Sequence, residues 1–84
     1  MMTATMKPVE DRVPIDPVAL RARREEKGLS FAAMAEAAQM SENNYRALEA
    51  GERDPKLSQV RGILAKLGLK WTDLPKLLRK EFRL

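Results

Sequence analysis

The 84-residue chain contains no cysteine and no histidine. Without cysteine there is neither a disulfide framework nor a thiolate zinc finger. Without histidine the commonest general base and metal ligand is missing too. No clustered carboxylates mark a pocket, so no catalytic residue, metal ligand or cofactor is assigned, and the chain does not read as an enzyme. Long apolar runs are also lacking. The longest uncharged stretch, residues 28–35, is far too short to cross a bilayer. Residues 1–6 are weakly apolar and precede Lys7, the reverse of a signal peptide's basic-then-apolar order. A membrane partner is therefore not expected, and the cytoplasm is the default location. Runs of alternating β-branched residues are absent, which argues against a sheet.

What the chain does have is enough apolar residue to build a core, at 44%. Its length allows one small domain. Sixteen Lys and Arg against twelve Asp and Glu leave a net charge of +4, and the sequence pI of about 9.8 favours a polyanionic partner. The charge is uneven along the chain. Lys7 and Arg12 against Glu10, Asp11 and Asp16 leave −1 over residues 1–16, so with +4 overall the remainder carries +5. Pro8, Pro14 and Pro17 interrupt the leader, and no helical period survives there. Residues 1–15 are expected to form a flexible or extended arm, and residues 16–84 the domain.

From Asp16 onward the sequence reads as short helices. Asp16-Pro17 pairs an N-cap with a proline at the first helical position, opening a helix over about residues 17–27 that stops at Gly28. Ser30 caps a second, alanine-rich helix to about residue 38, and Ser41 a third over 42–50, with Glu42 in its positive first turn. Gly51 stops that helix, and residues 51–55 make a turn. A fourth helix over about 57–67 ends at Gly68. Thr72-Asp73 is expected to cap a fifth running toward the C-terminus, with Pro75 in its first turn. Leu20, Leu29, Met34, Ala35, Ala38, Met40, Tyr45, Leu48, Leu57, Val60, Ile63, Leu64, Leu67, Leu69, Trp71, Leu74, Leu77 and Leu78 recur at three- and four-residue steps. No heptad is sustained, so the fold class is all-α: five short helices around one core.

Residues 30–48 supply a helix, a short turn and a second capped helix, the parts of a helix-turn-helix. Small residues at Ala32, Ala35 and Ala38 let the two helices approach closely, while Met40 and Leu48 anchor the second from below. Its first turns are then free to project, as major-groove reading requires. Two simply packed helices would carry the same pattern.

Residues 20–74 resemble the Cro/lambda-repressor-like, or XRE-type, helix-turn-helix family. The resemblance rests on Arg24-Glu25-Glu26-Lys27-Gly28-Leu29-Ser30, Met34-Ala35-Glu36, Met40-Ser41, Leu48-Glu49-Ala50-Gly51-Glu52-Arg53-Asp54-Pro55 and Leu67-Gly68-Leu69. It covers about two-thirds of the chain. The Glu-x-Gly-x-Arg-x-Pro string is its most specific part. The resemblance implies a compact five-helix domain whose second and third helices form the DNA-binding pair. It also implies an ion pair between Arg24 and Glu49, a structural one, because removing either partner would strand a partly buried charge at a cost on the order of 3 kcal/mol. Phe31 stands where many members carry glutamine, Gln39 replaces the usual glycine of the turn, and Tyr45 replaces a small aliphatic residue. Gly62 and Leu64 also depart from the commoner pattern. Gln39 would then have to adopt a left-handed backbone.

The third helix offers Ser41, Glu42, Asn43, Asn44 and Arg46. Asparagine pairs bidentately with adenine and arginine with guanine, while glutamate accepts from cytosine N4. Family position implies that Glu42, Asn43 and Arg46 or Ala47 face base edges, with Ser41 and Asn44 nearer the backbone. Ser41 and Glu42 could instead serve only as cap and dipole partner. Asn43 and Asn44 are poor helix formers, which points to a non-local reason for them. Ser30, at the start of the second helix, and Arg53 and Lys56, in the loop after the third, are candidates for phosphate contact. A solvated surface role is the alternative for each.

In residues 73–84, Leu74, Leu77, Leu78 and Phe82 oppose Lys76, Arg79, Lys80 and Arg83. Such a helix serves as core, as a dimer contact, or at a membrane surface. The function expected is a sequence-specific DNA-binding transcriptional regulator, a repressor acting as a homodimer on a short palindrome of double-stranded DNA. The alternative is a protein-interaction module, antitoxin-like or adaptor, with a protein partner on the same fold.

Overall fold

The computed structural model describes residues 12–82. The described residues form four α-helices, α1 (Pro17–Glu26), α2 (Phe31–Ala38), α3 (Glu42–Glu49) and α4 (Leu57–Leu67). Two 3-10 segments follow, Trp71–Leu77 and Lys80–Phe82. The fold is all-helical, without a strand among the described residues beyond isolated bridges.

Local chemistry sets the helix ends. The Asp16 carboxylate accepts from the Val18 and Ala19 N–H groups, with Pro17 at the first helical position. Ser30 Oγ accepts from Ala33 N at 3.0 Å, and Ser41 Oγ from Asn44 N at 3.1 Å. Gly28, Gly51 and Gly68 take positive φ after α1, α3 and α4. In the α2–α3 turn the left-handed position falls to Gln39, at φ 58°.

One core unites the helices. Leu20, Met34, Ala35, Ala38, Tyr45, Leu48, Val60, Ile63, Leu64, Leu67 and Leu77 are buried, joined by Val13 and Ile15. Leu29, Met40, Leu69, Leu74 and Leu78 pack partly buried around it. Leu57 and Trp71 fit the same spacing yet lie exposed, at the outer starts of α4 and the first 3-10 segment. α2 and α4 pack against each other, with Gly62 lying against the Ala37 backbone. A Cβ added at Gly62 would fall 1.9 Å from the Ala37 carbonyl oxygen.

One region differs from the sequence expectation. The last helix is not a continuous amphipathic one within the described residues. The segment Trp71–Leu77 is 3-10, Leu78 is extended at ψ 150°, and a separate turn begins at Lys80. Pro75 lacks the N–H that an α-helix would use, and Leu78 forms an antiparallel bridge with Ile15. Lys70, rather than Thr72, occupies the N-cap, and Asp73 contributes to the cap from within the segment, its Oδ2 accepting from the Lys70 N–H at 2.9 Å. That bond, first, holds the Asp73 carboxyl below its usual range, with Lys76 adding to it.

Residues 12–15 belong to the segment expected as a flexible or extended arm. They run extended and are fastened on both sides. Val13 N donates to Pro55 O at 2.9 Å, Asp16 N to Leu77 O at 2.7 Å, and Arg79 N to Pro14 O at 2.9 Å. Arg12 bridges to Lys56 and donates to Asp54 O, while Arg79 forks onto the Asp54 carboxylate at 2.9 and 3.2 Å. Residues 12–15 thus strap the 51–56 loop to the C-terminal turns. The rest of the expected arm, residues 1–11, lies outside the described residues, as do residues 83 and 84.

Candidate nucleic-acid interface

α3 has two faces set by its sequence. Tyr45 and Leu48 point into the core and fix the helix by packing. Ser41, Glu42, Asn43, Asn44 and Arg46 remain exposed on the other side. The rigid inner face holds the polar outer face in one orientation, as a reading helix requires.

The outer side chains are organised in two pairs. Arg46 Nη2 donates to Glu42 Oε2 at 2.7 Å and its Nε to the same oxygen at 3.2 Å, one helical turn apart. Arg53, from the loop after α3, donates from Nη1 to Asn44 Oδ1 at 3.0 Å. Arg53 is thereby drawn to the α3 surface, and Asn43 of the same helix stands exposed. Lys56 sits at the far end of the loop, as the N-cap of α4, where its N–H donates to Gln59 Oε1 at 2.8 Å. Ser30 lies exposed at the start of α2 with its hydroxyl engaged as a cap.

Beneath this surface lies the Arg24–Glu49 pair. Arg24 Nε donates to Glu49 Oε2 at 2.7 Å and Nη2 to Oε1 at 3.2 Å, while Nη1 reaches Leu29 O at 2.9 Å. The two side chains are 11% and 5% exposed, so this fork is nearly dry. The Glu49 bond raises the Arg24 pKa above its ordinary value, against the opposing effect of burial. It ties the end of α3 to α1 and the start of α2. Tyr45 Oη is buried without a hydrogen-bond partner among the described residues. Burial first, and the nearby Glu49 carboxylate second, push its pKa well up.

Sequence reasoning placed Phe31, with Glu42, at an expected contact position, where it departs from the family pattern and favours the protein-interaction alternative. The ring is half-buried, 6.2 Å from the Tyr45 ring, and carries two guanidinium groups. Arg24 Cζ lies 4.3 Å and Arg46 Cζ 4.7 Å from its centroid. The departure at this position was the signal in the sequence, but the partners come from α1 and α3, which only the fold brings together.

No helix among the described residues is long and apolar enough to cross a membrane. Neither a curated protein nor a solved structure matches the chain. A family model described as a helix-turn-helix domain matches residues 18–77, from the second residue of α1 to the end of the first 3-10 segment. The capped pair α2–α3, its left-handed turn and this match together place the chain in the family of DNA-binding helix-turn-helix domains.

Proposed function

We propose that the protein is a sequence-specific transcriptional regulator, a repressor that binds a short palindromic site in double-stranded DNA as a homodimer. The observation that carries this reading is the polar outer face of α3, held by the buried Tyr45 and Leu48 of the same helix. Asn43 and Arg46 suit adenine and guanine edges in the major groove. Ser41, Asn44 and Arg53 flank them toward the backbone, with Ser30 and Lys56 as further phosphate contacts. A dimer would set two α3 helices about one helical turn of DNA apart, and occupancy of a promoter would repress. The exposed Trp71 and Phe82 offer apolar surface for the second copy.

Selection from a randomised duplex pool, followed by rebinding at low and raised salt, tests the proposal. Enrichment of a palindrome with steep salt dependence is the expected result. Salt-sensitive retention without a motif would reduce the protein to a general DNA binder.

The second reading is a protein-interaction module on the same fold. It draws on Glu42, whose carboxylate lies on the reading face and offsets the charge of Arg46. Failure to retain any duplex at low salt, together with a tight protein complex, would favour it.

A further inference from the structure

Arg46 is held from two directions. Its guanidinium lies 4.7 Å from the Phe31 ring centroid, and the Glu42 carboxylate takes two of its N–H groups through one oxygen. Phe31 is itself held, with Arg24 4.3 Å from its centroid on the side of the Glu49 fork and Tyr45 packed at 6.2 Å. A continuous row therefore runs from the nearly dry Glu49–Arg24 pair, through the Phe31 ring, to Arg46 and Glu42 on the exposed face of α3. An arginine on a solvated helix would sample many rotamers and lose that freedom on binding. This one is 55% exposed yet already fixed by a ring and a carboxylate.

We infer that Phe31 is a positioning residue for DNA reading: it stacks and pre-orients Arg46 so that the guanidinium reads one guanine, while Glu42 serves as the second clamp rather than as a reader of cytosine. The inference rests on the DNA-binding reading above and deepens it by assigning the specificity of one base position. A planar guanidinium keeps N–H groups in its plane for the guanine O6 and N7 while its face rests on a ring. The Glu42 carboxylate occupies one edge of the fork and limits rotation about the ring. Leucine at position 31 would keep the apolar volume and lose the π face. Tyrosine would keep both.

The test uses the full chain and the duplex that selection enriches. Competition binding compares that duplex with variants in which each guanine is replaced in turn, for the native protein, Phe31→Leu, Phe31→Tyr and Arg46→Lys. For Phe31→Leu the preference for one guanine should fall by about threefold to tenfold relative to binding of scrambled duplex, the range a cation–π contact supports. Phe31→Tyr should retain the preference, and Arg46→Lys should lose it at that same position. A merely structural role for Phe31 would lower the melting temperature without singling out one base. The proton resonances of the Arg46 side chain report the stack directly, through a ring-current shift in the native protein that vanishes in Phe31→Leu.

Native guanine preference in Phe31→Leu, or in Arg46→Lys, overturns the inference while leaving the DNA-binding reading intact. Should Phe31→Leu fail to fold, Arg46→Lys and the ring-current shift in the native protein decide. Absence of any duplex binding by the native protein overturns both readings together.

Discussion

Gln39 is the one non-glycine residue with positive φ among those described. A left-handed conformation costs an L-residue with a Cβ about 1–2 kcal/mol, and glutamine has no short side chain to compensate locally. Glycine would remove that cost, while its greater freedom in the unfolded chain returns about 0.5–1 kcal/mol of it. Gln39→Gly should therefore stabilise the domain by a few tenths to about 1 kcal/mol, seen as a higher melting temperature. A lower one would mean that the Gln39 side chain supports the α2–α3 turn. Tyr45 supplies a different single-residue test, read against pH. In the unfolded chain the phenol titrates near 10.0, whereas burial and Glu49 keep it protonated to higher pH in the fold. Above that value the folded state binds a proton that the unfolded state has lost, so stability falls as pH rises, by up to about 1.4 kcal/mol per unit. Urea unfolding at about pH 9 and about pH 11 should show this loss in the native chain and a smaller loss in Tyr45→Phe. Equal losses would assign the alkaline fall to other groups.

At the scale of elements, the contact between α2 and α4 turns on the absence of one carbon. Alanine at position 62 would gain about 1 kcal/mol of helix propensity over glycine, yet its Cβ would meet the Ala37 backbone at 1.9 Å. Backbone cannot swing aside as a side-chain tip can, so the helices must separate. Gly62→Ala should be destabilising by about 1–3 kcal/mol net in thermal or chemical unfolding, against its propensity. A more stable variant would show that α4 can shift freely. The strap predicts the opposite of what its proline-rich surroundings suggest. Ile15 is 3% exposed and bridges to Leu78, so Ile15→Ala should cost about 2–5 kcal/mol, as a core helix residue would. An unchanged unfolding midpoint would make residues 12–15 dispensable.

These two elements also mark where the sequence was legible. α1 to α4 could be read because their signals are local: a cap at Asp16, Ser30 or Ser41, a glycine after α1, α3 and α4, and apolar residues at helical steps. The strap and the last turns depend on each other across the whole chain, through Ile15–Leu78 and Asp16–Leu77. Pro14 masks the first, and the spacing of Leu74, Leu77 and Leu78 imitates a helix in the second. The candidate site divides in the same way. Exposed polar residues on a capped helix announce themselves, and the Arg24–Glu49 fork followed from the family resemblance. The Phe31 stack and the bond between Arg53 and Asn44 form only when separate elements meet.

For the whole molecule, charge decides how DNA would be held. The net +4 is modest, and residues 17–84 carry +5 of it against −1 before them, so an attractive field belongs to the helical domain rather than to its leader. Within that domain Glu42 offsets Arg46 and Glu49 offsets Arg24. Arg53 is differently placed, its partner being the neutral Asn44 at 3.0 Å, so its charge remains available to a phosphate beside α3. Each phosphate neutralised contributes about −0.9 to the slope of log affinity against log salt on duplex DNA. Arg53→Ala should therefore weaken binding to the selected and the scrambled duplex by similar factors and make that slope shallower by about 1. A change confined to the selected duplex would make Arg53 a reader of bases, and an unchanged slope would place it outside the interface. Because Arg53 also steadies Asn44, comparison with Asn44→Ala separates the two effects: loss of the asparagine should leave the salt slope nearly intact, since no charge is removed.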